Sequence, residues 1–296
     1  MSYAWLNDKF CVILNKGEIM LFKKKPTIVG LCLGGGGARG FAHLGALKAF
    51  EEYGITFDMV SGCSVGSCVG AFVCAGMKFK QIYNIAKNLQ TKDIKRNKIK
   101  FMPSTTEGLE ELIGNNVKYK TIEELPTKLF IVSVDAKTGQ QIVFDSGSLT
   151  KTVAGSCAVP GVFYPVEYSN MTLIDGGVMN NIPADVLIKR GCDVVITIDV
   201  NSTRGGGTSS DKFYDVFLAS IGIMMKNNSS QGYLYSDIVI KPDMKRFKSS
   251  KLDGYEAMVE EGYNATIASM PEILKLINNK RYRLWKRSKR KNIYKL

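Results

Sequence analysis

Histidine is almost missing from this sequence, since the 296 residues contain a single one, His43. Serine–histidine–acid triads on α/β-hydrolase folds place their histidine after the serine and the acid in the chain. A zinc site is disfavoured as well, because no histidine pair exists and the seven cysteines include no C-x-x-C pair. We therefore expect no resident metal or cofactor, and reduced, mostly buried thiols typical of a cytosolic protein.

Long apolar runs are also missing. No stretch approaches the roughly 18 apolar residues that suggest a membrane span. The N-terminus lacks the layout of a signal peptide, because charged or polar residues such as Asp8, Lys9 and Glu18 interrupt any apolar core. We expect a cytoplasmic protein that attaches, at most peripherally, to the inner face of the membrane.

Acidic residues are outnumbered, 27 against 40 lysines and arginines, which gives a formal charge of +13. Such an excess favours an anionic partner, a membrane surface or nucleic acid, or serves solubility alone. Nine of the cations and no acid lie in residues 280–296, interleaved with aromatic and aliphatic side chains. We expect residues 279–296 to form a basic tail that binds an anionic membrane transiently. A solvated helix end is the alternative, and no nucleic-acid partner is expected.

The distribution of apolar residues predicts an α/β fold. Short apolar runs followed by helical periodicity occur twice near the start, as in a mostly parallel sheet covered by helices. Residues 91–120 are rich in lysine and irregular, so we expect a mobile flap, and residues 201–211 are expected to be an exposed Gly/Ser loop. Strands are predicted at 28–33, 57–60, 129–134, 141–144, 172–174 and 193–200, and helices at 40–53, 65–76, 212–228 and 255–278.

The organised fold is expected to begin at Thr27 and to form one domain over residues 27–278. Residues 1–26 look like an N-terminal extension. Residues 16–20 can be encoded by a purine-rich run followed by ATG, which resembles a bacterial ribosome-binding site. The hypothesis that follows is a natural start at Met20, and a real but poorly structured extension is the alternative.

The pentapeptide Gly62-Cys63-Ser64-Val65-Gly66 lies between a predicted strand and a predicted helix. That context is the one a nucleophile elbow requires. The serine of an elbow sits on a sharp turn that projects its hydroxyl, and the flanking glycines let neighbouring backbone pass closely. Ser64 is therefore the candidate nucleophile.

A second glycine-rich segment ends the first predicted strand and opens a helix. Such a loop directs backbone N–H groups and the helix dipole at one negatively charged oxygen. In acyl transfer that oxygen is the oxyanion of the tetrahedral intermediate. Within the set, Arg39 is expected either to add charge or to fix the loop, and Val65 supplies the amide that follows the nucleophile. The candidate oxyanion-hole residues are Gly34, Gly35, Gly36, Gly37, Arg39 and Val65.

The same loop offers a competing interpretation, because Gly35, Gly37 and Gly40 match the dinucleotide fingerprint G-x-G-x-x-G. That fingerprint wants an acidic residue about 20 positions further on, at the end of the next strand. Asp58 is the nearest candidate, but it stands at the start of its predicted strand. Dinucleotide binding is disfavoured for this reason.

Asp175 follows a predicted strand and precedes Gly176 and Gly177, so it can approach another loop closely. A turn aspartate that binds its own backbone is the alternative. Since no histidine follows Ser64, a nucleophilic Ser64 needs a different base, and Asp175 is the best candidate. We interpret His43 as a packing residue or a support of the glycine loop.

Four blocks of sequence, in this order and spacing, resemble the patatin-like phospholipase family. The resemblance implies a three-layer α/β/α fold with a mostly parallel central sheet, and a calcium-independent lipid acyl hydrolase. It also implies a Ser–Asp dyad, with Ser64 as nucleophile and Asp175 as base. It extends from Thr27 to about Asn201, so the region after residue 201 carries no family motif. The blocks are residues 34–40, residues 62–66, an Ala/Ser-rich segment over residues 154–160 that ends at Pro160, and residues 175–177.

Three functions stay open at this point. The leading hypothesis is a serine-dependent lipid acyl hydrolase that cleaves acyl esters through an acyl-enzyme. A thioesterase or acyltransferase would use the same dyad. A non-enzymatic protein that binds membranes or nucleic acid through its charge is the third, although the intact Ser64, Asp175 and glycine loop argue against it.

Overall fold

The computed structural model describes residues 3–7, 10–15, 18–23, 26–94, 102–202 and 210–293, with side chains over 26–94, 102–202 and 210–288. Its strands are β1 (Tyr3–Asn7), β2 (Phe10–Asn15), β3 (Glu18–Lys23), β4 (Val29–Leu33), β5 (Met59–Cys63), β6 (Lys128–Asp135), β7 (Gln140–Phe144), β8 (Val166–Tyr168), β9 (Met171–Asp175), β10 (Val194–Ile198) and β11 (Ile238–Ile240). A 3₁₀ turn covers Gly37–Gly40. The helices are α1 (Phe41–Glu52), α2 (Val65–Cys74), α3 (Phe79–Ala86), α4 (Thr91–Ile94), α5 (Glu107–Asn116), α6 (Leu149–Ser156), α7 (Gly177–Asn180), α8 (Ala184–Lys189), α9 (Phe213–Tyr235), α10 (Tyr255–Asn278) and α11 (Lys280–Ile293).

The central sheet has the strand order β11-β10-β4-β5-β6-β9-β8, and β7 also pairs with β6. The five strands from β11 to β6 are parallel, whereas β7, β8 and β9 join antiparallel. Parallel strands need covering on both faces, because the helices that connect them pack there. The predicted mostly parallel sheet is confirmed.

Apolar side chains cover both faces of this sheet. Within β4, Leu31 and Leu33 join the larger core, which also contains buried side chains of α1, α2 and α10. Cys32 between them belongs to a smaller core with Val186 and Leu187 of α8. This alternation follows from the period of two in a strand. The result is the three-layer α/β/α architecture that the resemblance implied.

Two regions differ from the sequence-based expectation. Residues 91–120 contain the regular helix α5, because Leu109 and Ile113 stand one helical turn apart and are both buried. Residues 95–101 of the expected flap lie outside the described residues. Asn201, the first residue of the expected exposed loop, is buried, and residues 203–209 of that loop are not described.

The segment before Thr27 contains an antiparallel three-stranded sheet in the order β1-β2-β3. Met20 lies inside β3 and pairs with Ile13 of β2. This arrangement differs from the expected poorly structured extension. The start at Met20 stays a prediction.

Strand β6 brings two distant segments together. Val132 pairs with Cys63 of β5, and the next residue, Ser133, pairs with Asp175 of β9. Val132 and Ser133 also pair with β7, which therefore occupies the other edge of β6. Cys63 and Asp175 thus lie on one and the same edge of β6. The register of β9 thus places Asp175 next to the residue that follows Cys63.

The tight hairpin between β8 and β9 sets that register. Tyr168 pairs with Met171 across the two-residue turn Ser169-Asn170, whose φ angles are 50° and 65°. Positive φ at both central residues is the signature of a type I′ hairpin turn.

The basic tail is a packed helix rather than a free segment over its described side chains. Arg283 donates to the carbonyls of Leu276 and Ile277 at the end of α10. Arg287 donates two hydrogen bonds of 3.0 and 2.9 Å to Asp237, whose side chain is 1% exposed. Asp237 directly precedes β11, so α11 is attached at the amino edge of the parallel strands.

No helix in the described part of the chain combines the length and the hydrophobicity needed to cross a lipid bilayer. The six cysteines with described side chains are all buried and free.

Candidate active site

Ser64 stands between β5 and α2, in the elbow position that the pentapeptide predicted. Its φ and ψ are 52° and −128°, a positive φ that costs a non-glycine residue about 1–3 kcal/mol. Its amide donates to Ser156 Oγ at 2.9 Å, and Ser156 Oγ donates in turn to the Val132 carbonyl at 2.6 Å. These bonds hold the strained residue against β6. Ser64 is 6% exposed.

The glycines of the elbow are required by close approach. A Cβ on Gly66 would lie 2.1 Å from the carbonyl oxygen of Leu33, and one on Gly62 would lie 2.5 Å from the carbonyl oxygen of Gly66. Neither position has room for a side chain, because such contacts are with backbone that cannot move aside.

Asp175 ends β9 and is fully buried. Its amide donates to the Ala158 carbonyl at 3.0 Å, so the segment that ends at Pro160 holds the aspartate backbone. Its Oδ1 accepts the Gly177 amide at 2.8 Å and the Cys63 thiol at 3.7 Å. Within the described residues its Oδ2 has no hydrogen-bond partner, although it is buried.

Burial raises the pKa of Asp175 to about 6. The Ser64 hydroxyl, the Gly177 amide and the Cys63 thiol favour the charged form and limit the rise of this pKa. The Ser64 hydroxyl is thus near enough to the Asp175 carboxyl to affect its pKa, while Asp175 Oδ2 has no hydrogen-bond partner among the described residues.

The glycine loop has fewer available amides than the sequence suggested. The amide of Gly34 donates to Ile198 and that of Gly35 donates to Asn181, both backbone carbonyls at 3.1 Å. These two predicted oxyanion donors are already used in holding the loop to its neighbours. Of the amides in the predicted oxyanion set, those of Gly36, Gly37 and Val65 have no hydrogen-bond partner among the described residues.

The carbonyls of the loop are held by side chains. His43 Nε2 lies 2.8 Å from the Gly34 carbonyl, and Asn201 Nδ2 donates to the Gly35 carbonyl at 2.8 Å. Arg39 donates to Asn201 Oδ1 at 2.9 Å and twice to the Phe247 carbonyl. Of the two roles expected for Arg39, the contacts favour fixing the loop.

His43 is a neutral support of the loop. Burial lowers its pKa to about 4, and because a carbonyl can only accept, Nε2 carries the proton. Its Nδ1 has no partner among the described side chains and is buried. The one histidine is thus bound to the glycine loop through its only N–H, and it does not act as the base of Ser64.

The dinucleotide interpretation fails on the position of its acid. Asp58 Oδ2 accepts the amide of Val29, the first residue of β4, at 2.7 Å. Asp58 therefore lies at the amino edge of the sheet, whereas the glycine loop follows the carboxyl end of β4. An acid that binds a ribose beside such a loop has to lie at the carboxyl edge.

Three polar residues were missed by the sequence reasoning. Ser156 binds the Ser64 amide, and Asn181 and Asn201 both donate to the Gly35 carbonyl. Ser156 lies in the Ala/Ser-rich block, which was noted only as a family feature. Asn181 follows α7 and Asn201 follows β10, both at the carboxyl edge of the sheet. Their position at this edge was the signal in the sequence that could have indicated a role in the site.

No group of three or more His, Cys, Asp or Glu side chains within the described ranges is arranged to bind a metal ion.

Comparisons with known proteins identify the family of this chain. The family model described as patatin-like phospholipase matches residues 31–188, more than half of the chain. Because this match covers more than half of the chain, the chain belongs to the patatin-like phospholipase family.

Curated relatives are longer proteins. The chain is 26% identical over 280 residues to lysophospholipase NTE1 of Kluyveromyces lactis, a match that covers 79% of the chain and 18% of that protein. It is 35% identical to the neuropathy target esterase sws of Drosophila melanogaster, covering 59% of the chain and 13% of the relative. The chain thus spans less than a fifth of the length of these two proteins.

Among solved structures, the fold is similar to VipD from Legionella pneumophila. The TM-score is 0.56 at 14% identity, covering 92% of this chain and 70% of VipD. ExoU of Pseudomonas aeruginosa, solved with SpcU, gives a TM-score of 0.51 at 15% identity and covers 94% of this chain and 59% of ExoU. At these identities the similarity concerns the fold alone.

Proposed function

We propose that this chain is a serine-dependent lipid acyl hydrolase in which Ser64 and Asp175 form a catalytic dyad. One observation carries the proposal: an elbow serine without any available histidine stands beside a buried carboxyl with an unpartnered oxygen. Family membership supports the substrate class, because the matching family is one of phospholipases.

The first step is attack on an ester carbonyl. Ser64 Oγ forms a bond to the carbonyl carbon while its proton passes to Asp175. A free aspartate is a weak base, and the pKa of about 6 makes Asp175 a stronger one that is still ionised at neutral pH. The negative charge that develops on the carbonyl oxygen is held by the amides of Gly36, Gly37 and Val65.

The second step breaks the ester bond. The tetrahedral intermediate collapses, the alcohol leaves with the proton from Asp175, and the acyl group stays on Ser64 as an ester. Water then attacks this acyl-enzyme and gives a proton to Asp175; as the bond to the acyl group breaks, Asp175 returns that proton to Ser64 Oγ, and the fatty acid is released. Since the base is weak, the oxyanion donors carry a large share of the rate. Loss of one such donor typically costs about 2.7–4 kcal/mol.

The substrate class proposed is a phospholipid or lysophospholipid acyl ester. Two named relatives are a lysophospholipase and an esterase, which supports a carboxylic ester as the bond cleaved. A thioesterase or an acyltransferase would pass through the same acyl-enzyme. A thioesterase differs from the proposed hydrolase in its acyl donor, a thioester, and an acyltransferase differs in its acyl acceptor, which is not water.

The test is covalent labelling combined with a panel of lipid esters. We expect a fluorophosphonate to label the wild type and not Ser64→Ala, because only the activated hydroxyl forms the adduct. Ser64→Ala and Asp175→Asn should each lower ester hydrolysis by about 10³-fold or more. Ser230→Ala and the half-exposed Asp145→Asn serve as matched controls with wild-type rates.

Near-normal turnover by a folded Asp175→Asn protein would remove the dyad. A wild type that is neither labelled nor active would support the non-enzymatic alternative. Acyl transfer to an added alcohol at the expense of fatty acid would favour the acyltransferase.

A further inference from the structure

The basic tail and the candidate active site lie at opposite edges of the sheet. Arg287 of α11 binds Asp237 and the Asp193 carbonyl, and these two residues precede β11 and β10. Ser64 and the glycine loop follow the carboxyl ends of β5 and β4. A five-residue strand such as β10 spans about 16 Å between these edges. A lipid surface bound to α11 would therefore face away from the serine.

Helix α9 is the element that reaches past the catalytic edge. Its 23 residues span about 34 Å, roughly twice the length of β10, which it follows. Its C-terminal half packs beside the sheet, where Gly232 lies against the Ile182 carbonyl and the Tyr233 hydroxyl donates to Asp199. The N-terminal half therefore extends beyond the strand ends.

The inner side of that N-terminal half rests on the catalytic loops. The Tyr214 hydroxyl donates to the Gly161 carbonyl at 2.5 Å, in the residue after Pro160. Met225 packs closely on Gly177, since a Cβ on Gly177 would lie 2.3 Å from Met225 Cε. The amide of Gly177 donates to Asp175. The position of α9 is thus tied to both segments that hold the aspartate.

The outer side of the same half is apolar and exposed. Five side chains on one side of the helix are 37–85% exposed, with Phe213 at the upper end. At 100° per residue they fall within a sector of about 120°, which is an apolar stripe interrupted by the exposed Ser220. We call this stripe the α9 face, and it consists of Phe213, Val216, Phe217, Ile223 and Met224.

Apolar exposure continues onto the catalytic segments beside it. Tyr164 is 45% exposed and stands three residues after Gly161, and Met179 of α7 is 43% exposed. Exposed apolar side chains gathered on neighbouring segments mark a site of contact with a membrane or a protein.

The charges around the α9 face are mixed. Lys212 and Lys226 are exposed, Asp211 is exposed, and Asp215 is half-buried and accepts the Ser210 hydroxyl. The local charge is thus close to balanced, while the whole chain carries +13. The attraction to an anionic bilayer then comes from the whole molecule and the orientation comes from the apolar stripe.

We propose that the α9 face docks on the surface of an anionic lipid bilayer and holds the catalytic edge against it. The proposal rests on the proposed function, which requires an acyl ester to pass from a bilayer to a buried serine. Contact through α9 places lipid beside the loops that carry Asp175 and Gly161, whereas contact through α11 does not.

The experiment compares binding and turnover in two sets of variants. The triple variant Phe213→Ser, Ile223→Ser, Met224→Ser removes the α9 face, and the double variant Leu284→Ser, Trp285→Ser removes exposed apolar side chains from α11, where they are 58% and 54% exposed. Vesicles of phosphatidylcholine with phosphatidylglycerol are the probe. Sedimentation is measured in the Ser64→Ala background, so that no lipid is consumed.

We expect the triple variant to lose about tenfold or more in vesicle binding, since three large apolar side chains no longer enter the interface. The double variant should stay within about twofold of the parent. In the Ser64 background, turnover of vesicle lipid should fall with binding, while turnover of a monomeric short-chain ester stays unchanged for both sets.

Unchanged vesicle binding by the triple variant, or an equal loss in the double variant, would overturn the proposal. So would a wild-type dimer that becomes a monomer in the triple variant with no change in vesicle binding, because the face would then be a protein interface. Failure of the proposed function is a separate result: the wild type would not hydrolyse the monomeric ester, whatever its binding to vesicles.

Discussion

Asp175 combines complete burial with hydrogen bonds at one oxygen only. The burial has an energetic cost when the carboxyl is ionised, because charge is removed from water. The raised pKa of about 6 against an ordinary value of 3.8 expresses that cost. This carboxyl is therefore a local source of instability at neutral pH.

The stability of the protein should reflect this group. Between pH 4 and 6 the folded state keeps the Asp175 proton while the unfolded state has released it, so this contribution to stability falls as pH rises. Above pH 6 the full cost, about 3 kcal/mol for a shift of two units, is present. We expect Asp175→Asn to be more stable than wild type to urea at pH 8, with a gap that closes towards pH 4.

Asp145→Asn provides the comparison, because Asp145 is 43% exposed. Its gap from wild type reports the loss of a surface ion pair with Arg190 rather than the desolvation of a buried carboxyl. A gap for Asp175→Asn that is constant between pH 4 and 8 would mean that the carboxyl is not desolvated in the folded protein.

At the residue scale, sequence reasoning reached Ser64 and Asp175 because each stands in a local pattern, and because the count of histidines left few bases. It could not reach the partners of the glycine loop. Asn201 is 166 positions from Gly35, and the distinction between used and unused amides depends on which carbonyls the fold brings near Gly34 and Gly35. Such contacts have no local signature.

At the scale of elements, α1 and α10 cross with their backbones in contact. A Cβ on Gly45 would lie 1.8 Å from the Val259 carbonyl oxygen, and one on Gly262 would lie 1.9 Å from that of Ala42. Since α1 also carries His43, which binds Gly34, this crossing supports the glycine loop from behind.

Gly45→Ala should therefore destabilise the protein by about 3 kcal/mol, and Gly262→Ala by a similar amount, because the helices must move apart. Gly114→Ala in α5 is the matched control, since its nearest atom would be Thr150 Cγ2 at an ordinary 3.6 Å. The control should be neutral or more stable by up to about 1 kcal/mol. Equal urea midpoints for Gly45→Ala and Gly114→Ala would contradict the crossing.

The elements that periodicity predicted best are those with a strong apolar pattern. Helix α10 runs from Tyr255 to Asn278 as predicted. Strand β4 begins one residue later than predicted, and β6 and β9 each extend one residue beyond the prediction at both ends. Helix α9 was predicted to end at residue 228 and continues to Tyr235. The apolar periodicity of α9 is weak because its N-terminal half carries apolar side chains on its exposed side as well as on its packed side. This half therefore lacks the contrast between a polar and an apolar face that predicts a helix.

At the scale of the whole molecule, α11 closes the amino edge of the sheet. Arg287 places its guanidinium on the buried carboxylate of Asp237, which also accepts the Val195 amide. Composition alone predicted a basic tail that binds an anionic membrane, with a solvated helix end as the alternative. The packing of Arg287 was not predicted, because its partner Asp237 lies 50 residues earlier in the chain.

Removal of this contact should loosen the C-terminal helix. We expect Arg287→Ala to lower the free energy of unfolding by about 2 kcal/mol, since a buried carboxylate loses a charged donor. Lys189→Ala, which removes the exposed pair with Asp185, should cost less than about 0.5 kcal/mol. The measurement is urea unfolding, and equal effects of the two changes would show that α11 is not held by Asp237.

The two-residue turn at Ser169-Asn170 has a consequence for how this protein tolerates change in length. Four residues separate that turn from Asp175, and β9 pairs with β6 over three residues only, so nothing further along the strand can correct an offset. A single inserted or deleted residue there would turn the carboxyl to the opposite face of the sheet. Surface hairpins usually accept changes in loop length, but this hairpin should not. Loss of the proposed hydrolytic activity would therefore report that β9 has lost its native register.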